Sequence, residues 1–221
     1  MEIRPDAANA WSVLAQLLYA QGKFDEAAAS AERAFDADAF FEVRRTVAIA
    51  MTSSLYAQRF DDARRWCRFG LEHYGASPDP RFKECELTIL GWTGRSRSDV
   101  GTAWRLLNEI ERRDTLGALA PTWTGRRLMV SAVLARSGMR DSGRAVLTSV
   151  QATVRRDATK RSAPVFEAYV RLLLNERDSA LVHLTDYLRS TPQARAQIGQ
   201  HPWFRPLKGD PRFEALVGPV R

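Results

Sequence analysis

The chain predicts an all-α fold: about five helix pairs laid side by side, followed by a C-terminal capping segment. Apolar residues recur at three- and four-residue spacing over helix-length runs, and short turns interrupt them. A small residue returns near the start of each second run, at Ala27, Ala63, Ala103, Gly143 and Ala180, at intervals of 36, 40, 40 and 37 residues. An aspartate (Asp25, Asp61, Asp141, Asp178) stands shortly before four of them, placed to cap the free N–H groups of a helix.

The elements follow in order. The first pair occupies Trp11 to Ala34, with Gly22-Lys23 as its break. The second has the turn Gln58-Arg59-Phe60-Asp61-Asp62-Ala63, which repeats Gln21 to Ala27 with one residue fewer before the phenylalanine. The third opens at Asp79-Pro80, turns over Gly94 to Asp99 and continues in a helix from Val100 to Arg113. Proline suits the first helical turn because its missing N–H has no partner there in any case. The fourth runs from about Thr122 to Val154 with Gly138 in its turn, after a glycine- and proline-punctuated loop, Thr115 to Pro121, expected to be mobile. The fifth opens near Ser162-Ala163-Pro164, turns at Asn175-Glu176-Arg177 and is capped by Asp178. In the tail, Trp203 and Phe204 are expected to plug the last groove, and Asp210-Pro211 to start a short helix carrying Phe213, Leu216 and Val217.

Small residues at helix crossings let two backbones approach, and larger neighbours such as Leu14 or Phe24 fill the gaps. One pair buries only part of its apolar stripe, so pairs must stack and the last needs a lid. The expected division is therefore an array over residues 1–190 and a cap over residues 191–221, packed on the last repeat.

The first pair resembles a tetratricopeptide repeat, whose pattern is W-x2-L-G-x2-Y, then A-x3-F, then P. The chain has Trp11-x2-Leu14-Ala15-x2-Leu18, then Ala27-x3-Ala31, then Ala34, with Ala15 for the glycine and Leu18 for the tyrosine. Leu87-x2-Leu90-Gly91 recovers the leucine-glycine of the pattern in the third pair. The resemblance covers roughly residues 2 to 190. It implies an α-α superhelix, a solenoid of this repeat type, similar to C-terminal repeat regions of bacterial multidomain signalling proteins. Pro5 stands where such a repeat closes, so Glu2 to Asp6 resembles the tail of a preceding repeat, and the chain is expected to be a piece of a longer protein.

Composition narrows the classes. With 221 residues, 45% hydrophobic and 27% charged, the chain has ample material for a core. No apolar run approaches the length of a membrane span, and the N-terminus lacks a basic-then-apolar leader. Two cysteines, Cys67 and Cys85, form neither a disulfide framework nor a metal-ligand spacing. They are expected to be buried, inert thiols, and the expected location is the reducing cytoplasm. The net charge is +7, and 29 of the 33 basic residues are arginine. Attraction to acidic partners follows from that charge alone.

No catalytic constellation is visible. His73, His183 and His201 are far apart in sequence, Glu84, Glu86, Glu109 and Glu111 have the spacing of solvated helix faces, and Gly91-Trp92-Thr93-Gly94 lacks the lysine-serine of a phosphate loop. The expectation is a non-enzyme with no cofactor and no metal.

The resemblance implies that successive first helices line a groove that receives a partner segment. The positions it marks are Asn9, Ser12, Gln16 and Tyr19; Arg45, Ala48, Thr52 and Tyr56; Thr88, Trp92 and Arg95; and Leu128, Ala132, Arg136, Val165 and Tyr169. Of these, Tyr19, Arg45, Thr52, Tyr56, Thr88, Trp92, Arg95, Arg136 and Tyr169 are the candidate partner-binding residues. Aromatics and arginines dominate binding energy at protein interfaces, so a protein or peptide with apolar anchors and acidic residues is the expected partner. Two alternatives stand beside it: self-association as a homo-oligomer, and nucleic-acid binding through Arg155-Arg156, Lys160-Arg161, Arg64, Arg65 and Arg68, the less favoured of the two. Membrane insertion is not expected.

Overall fold

The computed structural model describes residues 7–40, 42–74, 81–113, 121–157 and 163–218, without the side chains of Arg81, Arg113, Pro121 and Thr122. The expectations for Glu2 to Asp6, for the openings at Asp79-Pro80 and Ser162, for the loop from Thr115 to residue 120 and for Lys160-Arg161 lie outside the described residues.

Among the described residues there is no strand. The helices are α1 (Ala8–Ala20), α2 (Phe24–Ala37), α3 (Val43–Tyr56), α4 (Phe60–Tyr74), α5 (Arg81–Thr93), α6 (Arg97–Arg113), α7 (Pro121–Arg136), α8 (Arg140–Arg156), α9 (Pro164–Leu173) and α10 (Arg177–Ser190). The tail adds α11 (Arg195–Gln200) and α12 (Pro211–Val217), with tighter 3-10 turns at Pro192–Ala194 and Pro202–Leu207. The fold class is the expected one, all-α and built of consecutive helix pairs with a capping segment. Among the described residues no helix is long and apolar enough to cross a membrane.

One turn is used four times. After α1, the N–H of Gly22 donates to the carbonyl of Tyr19 and that of Lys23 to the carbonyl of Leu18. This double bond pattern is a Schellman motif, which needs a left-handed residue at its centre. Gln58, Gly138 and Asn175 repeat it, with the matching bonds to Leu55 and Ser54, to Ala135 and Leu134, and to Leu172 and Arg171. The four central residues have φ of 75, 63, 81 and 65°. Gln58 therefore stands where Gly22 does, and the second turn has lost no residue relative to the first. The contact residues Ala27, Ala63, Gly143 and Ala180 all lie five residues beyond these centres, and each is buried. Ala27, Ala63, Ala103 and Ala180 have no exposed surface at all.

The third turn is built differently, because Ser96 and Asp99 cap each other. The Ser96 hydroxyl accepts the Asp99 N–H at 3.1 Å, and the Asp99 carboxylate accepts the N–H groups of Ser96 (2.9 Å) and Arg95 (2.8 Å). This capping box starts α6 at Arg97, three residues before the expected Val100. Asp25 and Asp141 are first-turn residues of helices whose N-cap positions, Lys23 and Met139, make no side-chain cap bond, and Asp61 and Asp178 also lie in first turns. A carboxylate there complements the helix dipole. Asp61 and Asp141 each pair with an arginine one turn on, Arg64 and Arg144, at 3.2 Å.

The described chain divides into two compact units. The first joins Met1–Cys85 with Thr191–Arg221, and the second is Glu86–Ser190. In the first unit α1 packs on α2, α2 on α3 and α3 on α4, and α11 touches α1. In the second unit α6 packs on α7, α7 on α8 and on α9, and α9 on α10. The cap expected on the last repeat is grouped with the first two pairs instead. A methyl group added at Gly22 would meet the Gln200 Cβ at 2.7 Å, so the tail backbone lies hard against the first turn. Trp203, Phe204 and Phe213 are buried as expected, and the Asp210 carboxylate caps α12 by accepting the Arg212 N–H at 3.0 Å.

Cys67 on α4 and Cys85 on α5 are both buried and are paired as a disulfide, their Cα atoms 6.1 Å apart. That separation lies within the span of such a bridge. The expectation of inert thiols is corrected by it: two cysteines 18 residues apart in sequence are paired between α4 and α5.

Candidate functional site

In the first unit the sequence register places Gln16 and Tyr19 on α1, and Arg45, Thr52 and Tyr56 on α3. The structure brings the two sets to one surface. The Arg45 guanidinium donates to the Gln16 side-chain carbonyl across the helix pair, and it lies 3.6 Å from Glu42. The rings of Tyr19 and Tyr56 stack at 5.8 Å, and both meet Phe24 edge-on, at 5.8 and 5.1 Å. Thr52 is half-buried and turns its hydroxyl back to the Ala48 carbonyl of its own helix. Ser12 and Ala48 are buried, while Asn9 and Arg45 are exposed.

The aromatic end of this surface meets the tail. The His201 ring lies 4.4 Å from Tyr56 and 6.2 Å from Phe24, with Trp203 and Phe204 at 4.7 and 5.4 Å. Its Nδ1 accepts the Trp203 N–H at 3.2 Å, which fixes that nitrogen as the unprotonated one. His201 is only 2% exposed, and burial pushes its pKa down to about 3. A cavity of about 210 Å³ opens beside this cluster, lined among others by Lys23, Glu26, Tyr56, Gln200 and Arg205.

The second unit treats its candidates differently. Trp92 is 7% exposed and Tyr169 is 4% exposed, so both are core residues and not groove residues. The Tyr169 hydroxyl donates to the Gly91 carbonyl at 3.1 Å. Burial pushes its pKa up, against the opposing pull of the Arg136 guanidinium beside it. Leu128 and Ala132 are fully buried, whereas Thr88, Arg136 and Val165 keep part of their surface and Arg95 is exposed. Sequence register alone does not separate these cases, because a first-helix position faces solvent or a neighbouring helix according to how its pair is stacked.

A polar cluster that sequence reasoning passed over lies in the same unit. Glu167 on α9 is 4% exposed and accepts the Gln151 amide of α8 at 2.9 Å. The same carboxylate oxygen is 3.5 Å from His183 Nε2 on α10. Counting from the Schellman centres, Glu167 holds the position of Leu14, Ala50 and Val130, so a carboxylate stands where the other pairs have an apolar side chain. That substitution in the repeat was its only sequence signal. Arg171 and Arg144 both pair with Glu176 next to it, Arg144 at 2.9 Å.

The basic residues of the nucleic-acid alternative are partly engaged. Arg64 pairs with Asp61 at 3.2 Å and Arg65 with Glu32 at 3.1 Å, while Arg155 and Arg156 close the last turn of α8. Among the described residues no three His, Cys, Asp or Glu side chains converge as metal ligands. No protein-family model, curated protein or solved structure matches the chain.

Proposed function

We propose that the chain is a non-catalytic, tetratricopeptide-like interaction module whose first unit binds a peptide segment along α1 and α3. The observation that carries this reading is the convergence of two cross-helix pairs, Gln16 with Arg45 and Tyr19 with Tyr56, on one surface. Successive first helices thus present amide, guanidinium and aromatic groups side by side, the residue types that anchor protein interfaces. Arg45 is exposed and selects for acidic residues in the ligand; the part-exposed ring of Tyr19, stacked on Tyr56, takes an apolar one. Trp92 and Tyr169, being core residues, take no part in it.

Random-peptide display against the intact chain tests this. Enriched peptides should pair an aromatic or aliphatic anchor with acidic residues. Arg45→Glu should weaken them at least about tenfold, as loss of a charged interface anchor does. Peptides that bind Arg45→Glu and Tyr19→Ala as well as the original chain would remove the proposal. A nucleic-acid binder would instead show a salt-dependent shift on single- or double-stranded probes that is unaffected by Arg45→Glu.

A further inference from the structure

Trp11 in the first turn of α1 meets Arg33 near the end of α2, the guanidinium lying 4.8 Å from the centre of the indole ring. A cavity of about 400 Å³ opens beside them, lined by Trp11, Arg33, Asp36 and Ala37. That volume falls in the range of small-molecule pockets. Its polar groups are left without hydrogen-bonded or charged partners. The Trp11 indole N–H is buried with no acceptor, and among the described residues neither Arg33 nor Asp36 forms an ion pair. The two could have paired with each other. Arg59 and Asp62, in the same order and at the same spacing, do so at 3.4 Å. Arg33 turns to the indole ring instead, which leaves Asp36 in the last turn of α2, where the helix dipole disfavours a carboxylate. A charge set against its own helix, with nothing in the fold to compensate it, is a mark of a functional position.

We propose that this cavity binds a free α-amino acid with an apolar side chain. The ligand carboxylate takes the Arg33 guanidinium, its ammonium group takes the Asp36 carboxylate, and its side chain lies against Trp11 and Ala37. Residues three apart on a helix have Cβ atoms about 5–6 Å from each other, so Arg33 and Asp36 suit a molecule that carries both of its charges on one carbon. The negative end of the α2 dipole favours the ammonium group for the same reason that it disfavours Asp36 alone. The carboxylate also supplies the acceptor that the indole N–H lacks. A simple anion would meet Arg33 and be repelled by Asp36, and a simple cation would suffer the reverse. The site shares no residue with the peptide surface of α1 and α3, and either stands without the other.

Titration of the intact chain with leucine and with phenylalanine, followed by calorimetry and by the indole N–H NMR signals, tests this. At millimolar concentration at least one of them should bind and shift the Trp11 signal, identified as the one missing from Trp11→Phe. For the amino acid that binds, the N-acetyl form lacks the ammonium charge and the amide lacks the carboxylate. Each should bind at least about tenfold more weakly than the free amino acid. Arg33→Ala and Asp36→Asn should weaken binding to the same degree and leave the thermal midpoint nearly unchanged, since both side chains are exposed. Three results would overturn the proposal. Neither amino acid could move the Trp11 signal. One of the blocked forms could bind as well as the free amino acid, which would make the cavity a site for a single charge. Binding could survive in Arg33→Ala and Asp36→Asn, which would place the ligand elsewhere on the chain.

Discussion

Tyr56 on α3 and His201 in the tail lie ring against ring, 4.4 Å apart, and between them they join the first two helix pairs to the end of the chain. Because His201 is buried among aromatic rings, its folded-state pKa is near 3, below the ordinary value of 6.5. The unfolded chain therefore binds a proton between about pH 6.5 and pH 3 that the folded chain refuses. Stability is full above pH 6.5 and falls as the pH drops through that window, by up to about 5 kcal/mol at roughly 1.4 kcal/mol per unit. His201→Asn keeps an acceptor for the Trp203 N–H but cannot titrate. It should lower the midpoint at pH 7 and flatten the fall between pH 6.5 and 4. Thermal unfolding of both proteins across that range checks it, and an equally steep fall in the variant would place the acid sensitivity elsewhere.

The four Schellman turns allow a paired glycine experiment. Gly22 and Gly138 have φ of 75 and 81°, where a side chain costs about 1–2 kcal/mol of backbone strain. Around Gly138 an added methyl meets nothing within 4 Å, whereas at Gly22 it meets Gln200 and Ala196. Gly138→Ala should cost about 1 kcal/mol, and Gly22→Ala clearly more, the excess measuring the fit of the tail against the first turn. The reverse change helps where a side chain already occupies the left-handed position. Gln58→Gly should stabilise by about 0.5–1 kcal/mol and Asn175→Gly by less, since asparagine tolerates this conformation. Urea unfolding of the four variants decides each case.

These turns also explain what was legible in the sequence. The small contact residues were readable because a crossing that admits no side chain leaves a period in the sequence. Ala27, Ala63, Ala103, Gly143 and Ala180 mark all five pairs, and all are buried. Sequence alone sets Gln58 beside Gln21, one residue off its place beside Gly22, because glutamine gives no sign of a left-handed backbone, where Gly22 and Gly138 do. The tail was readable as a cap from Trp203, Phe204 and the Asp210-Pro211 start, but its address was not. Aromatic side chains announce that they will be buried without announcing which helices bury them. The same limit applies to Trp92 and Tyr169, whose types suit an interface and a core equally. Glu167 shows only as a carboxylate at an apolar register position, and its burial depends on Gln151 and His183, which are distant in sequence.

A second histidine, His183, lies 3.5 Å from the Glu167 carboxylate. Burial lowers the His183 pKa, Glu167 opposes that by favouring the imidazolium, and Arg171 adds to the lowering. Glu167→Gln retains an acceptor for the Gln151 amide and removes the opposing charge. The His183 titration, followed by imidazole NMR signals, should therefore move to lower pH in the variant. Because the folded-state pKa is already below the ordinary value, stability contributed here is lost as pH falls, and the variant should lose it more steeply. An unchanged His183 titration would mean that the carboxylate 3.5 Å away has no hold on the imidazole.

The Cys67–Cys85 bridge ties α4 to α5 across an 18-residue separation. A loop of that size, closed by a disulfide, removes chain entropy from the unfolded state equivalent to about 3 kcal/mol. Reductant should therefore lower the thermal midpoint of the original chain and leave Cys67→Ala/Cys85→Ala untouched. The double variant should resemble the reduced protein and not the oxidised one. Both sulfurs are buried, so reduction should be slow at native temperature and accelerate as the chain opens. Thiol counting under denaturing, non-reducing conditions supplies the direct readout, with no free thiol expected in protein purified under oxidising conditions. The count also bears on where the chain works, because a reducing cytoplasm keeps such pairs open and an oxidising compartment closes them. Two free thiols in protein isolated without reductant would show that α4 and α5 are held by packing alone.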